Sequence, residues 1–557
     1  MRFTRIATAL GMAAIALVAL TQCDGGNTGG GTSSDPSRII TAYSNEPQSP
    51  LLPADANETF GGRVVELLFE GLRAYDSDGK PVNALAESIE TADAQNWNIK
   101  VKKGEKFTNG EEITAKTFVD SWNFAALSTN LQINGSFFES IEGYNAVSAV
   151  QTSIGADGKT TTVPAPTAQV MSGLVLKDDS TISVKLAQPE ADWSTRLGYS
   201  AFYPLPSAAL KDPKTYGENP VGNGPYKFAK TGAWVHDQSI SLVRNDAYDG
   251  PRKAKNGGVT FKFYTDPGPA YVDLQADNLD LTDVVPSNAL KTYKTDFQNR
   301  NAAKPAALNG ILNIPPYNPN FQGEAGKLRR QALSHAINRE EICQVVFSGT
   351  RIPATEFTAP VLDGYSDKIP GNDVLRFDPA MARDLWAQAE KIKPYDSSKP
   401  LQIASNTDGG NKEWVEAVAN GFRNNLGIQV EIQSLARFAE LLDLRKSQTL
   451  PGLTPSSWQG DYPSLYNFLG PVWKTGAASN YERFSYPEFD SLLEEGLQAK
   501  DTTGADLKFN QAQEVLFKEL PGLPLWYVNH PIVWSNHVNS AETGWNGAIL
   551  YYNVSPK

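Results

Sequence analysis

WNIKVKKGEKFTNGEEITAKTFVDSW, residues 97–122, carries a strand, a turn and a helix in one short run. Trp97, Ile99 and Val101 alternate with Asn98, Lys100 and Lys102, a period of two that predicts a strand with one buried face. Asn109-Gly110 then supplies a tight turn. Thr114 is placed to cap a following helix in which Phe118, Trp122, Ala125 and Ala126 share a face. Strand, turn and helix in that order predict α/β organisation.

Outward from this unit the same alternation returns at Ile182, Val184 and Leu186 and at Phe261 and Phe263. Apolar helical faces are legible over Leu328 to Ile337 and Phe489 to Leu497. Ser485-Tyr486-Pro487-Glu488 predicts the start of the latter, with Ser485 as cap, a proline in the first turn and a glutamate three residues on. Gln151 to Gln169, rich in Thr, Ala, Gly and Pro and carrying Asp157-Gly158, predicts a surface hairpin or insertion. Cys343 falls at helical spacing with Ile342, Val346 and Phe347, behind Asn338 and Glu341 as cap and N3 partner, and is expected to be a core thiol. No internal repeat is present.

At the N-terminus Arg2 and Arg5 precede the apolar run Ile6 to Leu20, long enough for an export signal and too short to span a bilayer comfortably. Leu20-Thr21-Gln22-Cys23 resembles a bacterial lipobox, with Gln22 where a small residue is usual. The resemblance implies a signal peptide over 1–22 and a lipid on Cys23, whose acyl chains would tether the protein to the membrane. Gly25 to Ser34 has nothing to bury and reads as a flexible tether, continuing to residue 37.

The chain has 557 residues and a formal net charge of -12. Loss of Arg2 and Arg5 with the signal would take that to about -14. Such a balance argues against a nucleic-acid partner and against adhesion of the folded body to anionic lipid. The length exceeds what one hydrophobic core serves, so two lobes or more are expected. With two cysteines in all, one of them lipidated, the exported fold has to be stable without disulfides.

Signatures of common chemistries are absent. The chain lacks G-x-S-x-G, H-E-x-x-H and C-x-x-C. Gly158-Lys159-Thr160 is no phosphate loop, because Ser153 stands where that loop needs glycine. His236, His335, His530 and His537 are dispersed, and neither a metal site nor a cofactor is expected. The reading is of a protein that is not an enzyme.

Residues 97–122 resemble the signature stretch of extracellular solute-binding proteins of the oligopeptide and dipeptide class. Further segments similar to that family occur in order. Ser44-Asn45-Glu46-Pro47 and Leu68-Phe69-Glu70-Gly71-Leu72 look like its first strand's exit and following helix. Gly222-Asn223-Gly224-Pro225-Tyr226 and Val243-Arg244-Asn245 look like its crossover region. Leu328-Arg329-Arg330-Gln331-Ala332-Leu333 with Ala336-Ile337-Asn338-Arg339 resembles its large-lobe helix, and Leu523-Pro524-Leu525-Trp526-Tyr527 its returning strand.

The resemblance implies a bilobed, periplasmic-binding-protein-like type II α/β fold with an extra α/β domain, three domains in all, and two hinge crossings. It places the first lobe in residues 38–67, 191–290 and 521–557, the extra domain in 68–190 and the second lobe in 291–520. Trp458-Gln459-Gly460-Asp461-Tyr462-Pro463 resembles the segment whose aspartate holds a ligand's free α-amine, which makes Asp461 the principal site residue. Trp458 and Tyr462 would flank the ligand, and Asn57 and Thr59, in the loop before the first helix, are further candidates. An anion is what the chemistry requires, since a buried ammonium is costly unless a hydrogen-bonded carboxylate faces it.

Resemblance and lipobox together imply a monomeric, lipid-anchored peptide receptor at the cell membrane, serving an ABC importer of two permeases and two ATPases. Alternatives are a receptor of the same fold for an oligosaccharide, nickel chelate or haem, a sensor of peptide signals, and a surface-anchored hydrolase.

Overall fold

In the computed structural model the strand Asn96–Val101 buries Trp97, Ile99 and Val101 and turns the alternate residues outward. Described are residues 34–154, 160–407, 410–436, 438–450, 452–477 and 479–557; Cys23 and the export signal lie outside them. The strand pairs antiparallel with Ala86–Thr91 and Thr181–Lys185, and Leu174–Asp178 completes a four-stranded sheet. Gly110 takes a φ of +91°, which glycine adopts without strain, and its N–H closes the turn on the Phe107 carbonyl at 2.8 Å. The helix Ala115–Ala126 comes next in the chain, its Thr114 N–H bonded to the Thr117 hydroxyl at 3.0 Å. Its buried face carries Trp122, which packs edge-on against Phe202 with ring centres 5.6 Å apart and donates its indole N–H to the Phe202 carbonyl at 2.9 Å.

The predicted hairpin is present as Val150–Ile154 paired antiparallel with Thr160–Pro164. Its Asp157-Gly158 lies outside the described residues. Cys343 is fully buried in the helix Arg339–Val345, and burial pushes its thiol up to about 12, so it is inert. Asn338 caps that helix, accepting from the Glu341 N–H at 3.2 Å and donating to the Glu341 carboxylate at 2.9 Å.

A larger sheet runs in the order Tyr226–Phe228, Ser239–Arg244, Gly258–Phe263, Ile39–Ser44, Leu281–Thr282, Gly522–Trp534, Asn301–Asn313 and Thr454–Gln459. Two antiparallel strands, Asn301–Asn313 and Gly522–Trp534, tie its halves together. Their outer ends, Asn301–Pro305 against Asn529–Val533, join the first lobe, whose core holds Ile40, Phe261 and Trp534. Their inner ends, Leu308–Asn313 and Gly522–Tyr527, pair with Thr454–Gln459 and Arg351–Pro353 and enter the second lobe's core around Trp473, Phe509 and Trp526. The ladder breaks register between Pro305 and Asn309, where proline supplies no N–H. A bilobed α/β fold with a separate four-stranded sheet results.

Three sequence expectations need correction. Ser485 does not cap the helix Pro487–Leu497: Tyr486 occupies the cap position, and the Ser485 hydroxyl accepts instead from Thr475 at 3.1 Å. The first helix, Thr59–Leu68, ends at Leu68, so Glu70-Gly71-Leu72 lies beyond it, and Thr59 is its first residue and not a loop residue. Gly222–Tyr226 and Val243–Asn245 do not cross between lobes; they build the outer edge of the large sheet, far from the two connecting strands.

What Gly222–Tyr226 does is dock the end of that first helix. Gly224 donates to the Leu68 carbonyl at 2.8 Å, and Asn223 and Glu70 exchange side-chain-to-backbone bonds at 3.0 and 3.1 Å. A Cβ on Gly222 would fall 1.8 Å from the Leu68 carbonyl oxygen. Gly222→Ala should therefore lower stability by about 1 to 3 kcal/mol in urea unfolding; an unchanged midpoint would refute this close approach.

Candidate functional site

Thr454–Gln459 delivers Asp461 to the wall of a cavity of about 1040 Å³. Gly460 makes the turn possible: its N–H bonds the Ala307 carbonyl at 2.8 Å, and a Cβ there would meet the Trp545 ring at 2.8 Å. Asn467, on the helix Leu465–Trp473, then fixes the carboxylate. It accepts from the Asp461 N–H at 2.9 Å and donates to Asp461 Oδ2 at 3.0 Å, while its oxygen also takes the Trp458 indole N–H at 3.2 Å. The Tyr199 phenol faces the carboxylate and favours its ionised form.

The loop after Asp461 is clamped to the segment 190–199. Ser464 donates to Asp192 at 2.7 Å, and Arg196 lies 5.5 Å from the Tyr462 ring centre and 5.6 Å from that of Tyr466, paired with Glu190 at 2.7 Å. Among the described residues no cation pairs with Asp461. Burial pushes its carboxyl up to about 6, against the hydrogen bonds from Asn467 and Tyr199 that favour the ion. A carboxylate enclosed this way, held rigidly and without a counter-charge, is prepared to receive a cation.

All five residues singled out from the sequence line this cavity: Asn57, Thr59, Trp458, Asp461 and Tyr462. Trp458 is half-buried, whereas Tyr462 is buried against Arg196, closer to a packing residue than to a free wall. Asn57 and Thr59 are exposed at the rim, where Glu58 caps the first helix by accepting from Phe60 and Gly61, both at 2.7 Å. Sequence reasoning missed Arg63, Glu66, Tyr199, Asp283, Asn467 and His530, which also line the cavity. A signal existed for two of them: Arg63 and Glu66 stand three apart on one helix and so share a face.

Residues 80–480 match the family described as bacterial extracellular solute-binding proteins, family 5. The chain belongs to this family. Family 5 relatives include the oligopeptide-binding protein OppA of Bacillus subtilis, 25% identical over 90% of this chain and 90% of that one. The dipeptide-binding protein DppE of the same organism is 26% identical over 87% of this chain and 86% of its own length. The fold is similar to that of Haemophilus influenzae OppA, solved in complex with RPPGFSPFR, with a TM-score of 0.74, 22% identity and coverage of 94% and 100% of the two chains. As a family 5 member this is an extracellular solute-binding protein, and among the described residues no helix is long and apolar enough to cross a membrane.

Proposed function

We propose that this family 5 protein captures peptides between its lobes, holding the free α-amine on Asp461, and delivers them to an ABC importer of two permeases and two ATPases. The observation that carries the reading is the Asp461 carboxylate, orientated by Asn467 and left without a cation. Trp458 flanks the ligand with Tyr462 packed on Arg196 in the wall beside it, Asn57 and Thr59 contact it from the rim, and main-chain pairing supplies affinity without reading side chains. The lobes close about the strands Asn301–Asn313 and Gly522–Trp534, near their register break. The receptor works as a monomer, moored by a lipid on Cys23, and performs no catalysis. Peptides named for the relatives OppA and DppE support the ligand class. Mass spectrometry of ligands that co-purify with the protein tests it: peptides with free N-termini are expected, and a non-peptide occupant would overturn it.

Binding should also track the protonation of Asp461. Its carboxyl titrates near 6 when the cavity is empty, so it is ionised at neutral pH and neutral below that value, and only the ion attracts an ammonium. Lowering the pH to about 5 should therefore weaken peptides with a free amine roughly tenfold relative to about pH 7.5. Calorimetry with an N-acetylated peptide is the control; an equal loss for both peptides would sink the assignment.

A further inference from the structure

Beyond Asp461 the cavity holds a second group of unsatisfied acceptors. Arg63 and Glu66 project from the same face of the helix Thr59–Leu68. Arg63 is fully committed: it pairs with Asp283 Oδ2 at 2.8 Å and donates to the Tyr551 hydroxyl at 3.1 Å and the Tyr43 carbonyl at 3.3 Å. Arg252, behind Glu66, is equally committed, to Glu70 at 3.1 Å and to the Glu66 and Phe69 carbonyls, both at 2.7 Å. Each arginine thus has its own carboxylate, which leaves Glu66 without one.

The acceptors are not merely numerous; specific atoms lack partners. Asp283 is 7% exposed and its Oδ1 is buried with no hydrogen bond. One His530 ring nitrogen is turned to the Asp283 backbone, and burial holds the ring below its usual pKa, hence neutral, with its other nitrogen able to accept. Glu66 forms no ion pair among the described residues, and burial raises its carboxyl even with Arg252 and Arg63 nearby. Buried acceptors left open are costly, and the complement to a set dominated by carboxylate oxygens is a donor-rich cation. Glu66, Asp461 and Tyr199 line the same cavity.

We propose that the ligand is a basic peptide whose side-chain ammonium or guanidinium enters the end of the cavity bounded by Glu66, Asp283 and His530, while Asp461 holds its α-amine. The assignment rests on the reading of this protein as a peptide receptor and narrows it to dicationic ligands. Acidic side chains are disfavoured, because the cavity's other cations are already paired: Arg196 with Glu190 at 2.7 Å and Lys474 with Glu494 at 3.5 Å. Two charges held at fixed separation would select ligands by the spacing of their cations, which main-chain pairing alone cannot do.

Calorimetry on the full chain freed of co-purified ligand tests this with trialanine, its three single-lysine variants and its three single-glutamate variants. At least one lysyl peptide should bind about tenfold or more tighter than trialanine, with the glutamyl peptides weakest. Glu66→Gln should abolish the lysine advantage over trialanine. Lysyl and alanyl peptides binding alike to the unmodified chain would overturn the proposal without needing any variant to fold. Cadaverine binding as tightly as the best lysyl peptide would overturn it in favour of a free diamine. Failure of the underlying reading looks different: Asp461→Asn would then spare every peptide while the effect of Glu66 persisted.

Discussion

Asp461→Ala is expected to weaken a peptide with a free amine by about 2 to 5 kcal/mol, the cost of leaving a buried ammonium without its carboxylate. The fold should not be weakened. A carboxyl raised to about 6 in the folded state favours folding below the unfolded pKa and loses that contribution as pH rises through 6, so at neutral pH its removal relieves a burden. Asp461→Asn, which keeps an acceptor for Asn467, separates charge from shape and should lose nearly as much affinity. An N-acetylated peptide should bind the unmodified and substituted chains alike. Equal calorimetric affinities for the free-amine peptide would reject Asp461 as its holder.

Arg252→Met should lower stability by about 3 to 5 kcal/mol in urea unfolding. Arg252 satisfies the carbonyls of Glu66 and Phe69 at the end of the first helix and neutralises Glu70, which is 1% exposed and also receives the Tyr248 hydroxyl. Removing the guanidinium leaves a carboxylate buried without a counter-ion, and adding Glu70→Gln should recover part of the loss. Because that helix presents Arg63 and Glu66 to the cavity, the single variant should also bind ligand poorly at temperatures where it remains folded. A change below about 1 kcal/mol would show that the Arg252–Glu70 pair does not hold the helix end.

Local patterns translated well where the interactions were local. Gly110 became a turn and Asn338 a cap, because each depends on neighbours a few residues away, and the two-residue period marked Trp97, Ile99 and Val101 as one side of a strand. The Ser485 expectation failed on the same scale: the helix begins one residue later, and the serine found a better partner in Thr475. The segments around Asp461 and residues 97–122 carried the family resemblance directly, and the family match over residues 80–480 accords with it.

The sequence by itself determined the α/β alternation, the acidic balance, the family and the candidate carboxylate Asp461, since composition, period and motif are local properties of the chain. Only the tertiary structure decided what surrounds that carboxylate. Asp283 reaches Arg63 across 220 residues of chain, Asp192 reaches Ser464 across 272, and Glu66, Tyr199 and His530 meet Asp461 in one cavity. Charge and hydrogen-bonding strength in such a place depend on which groups are buried together, and burial is set by packing between distant segments that no local pattern encodes.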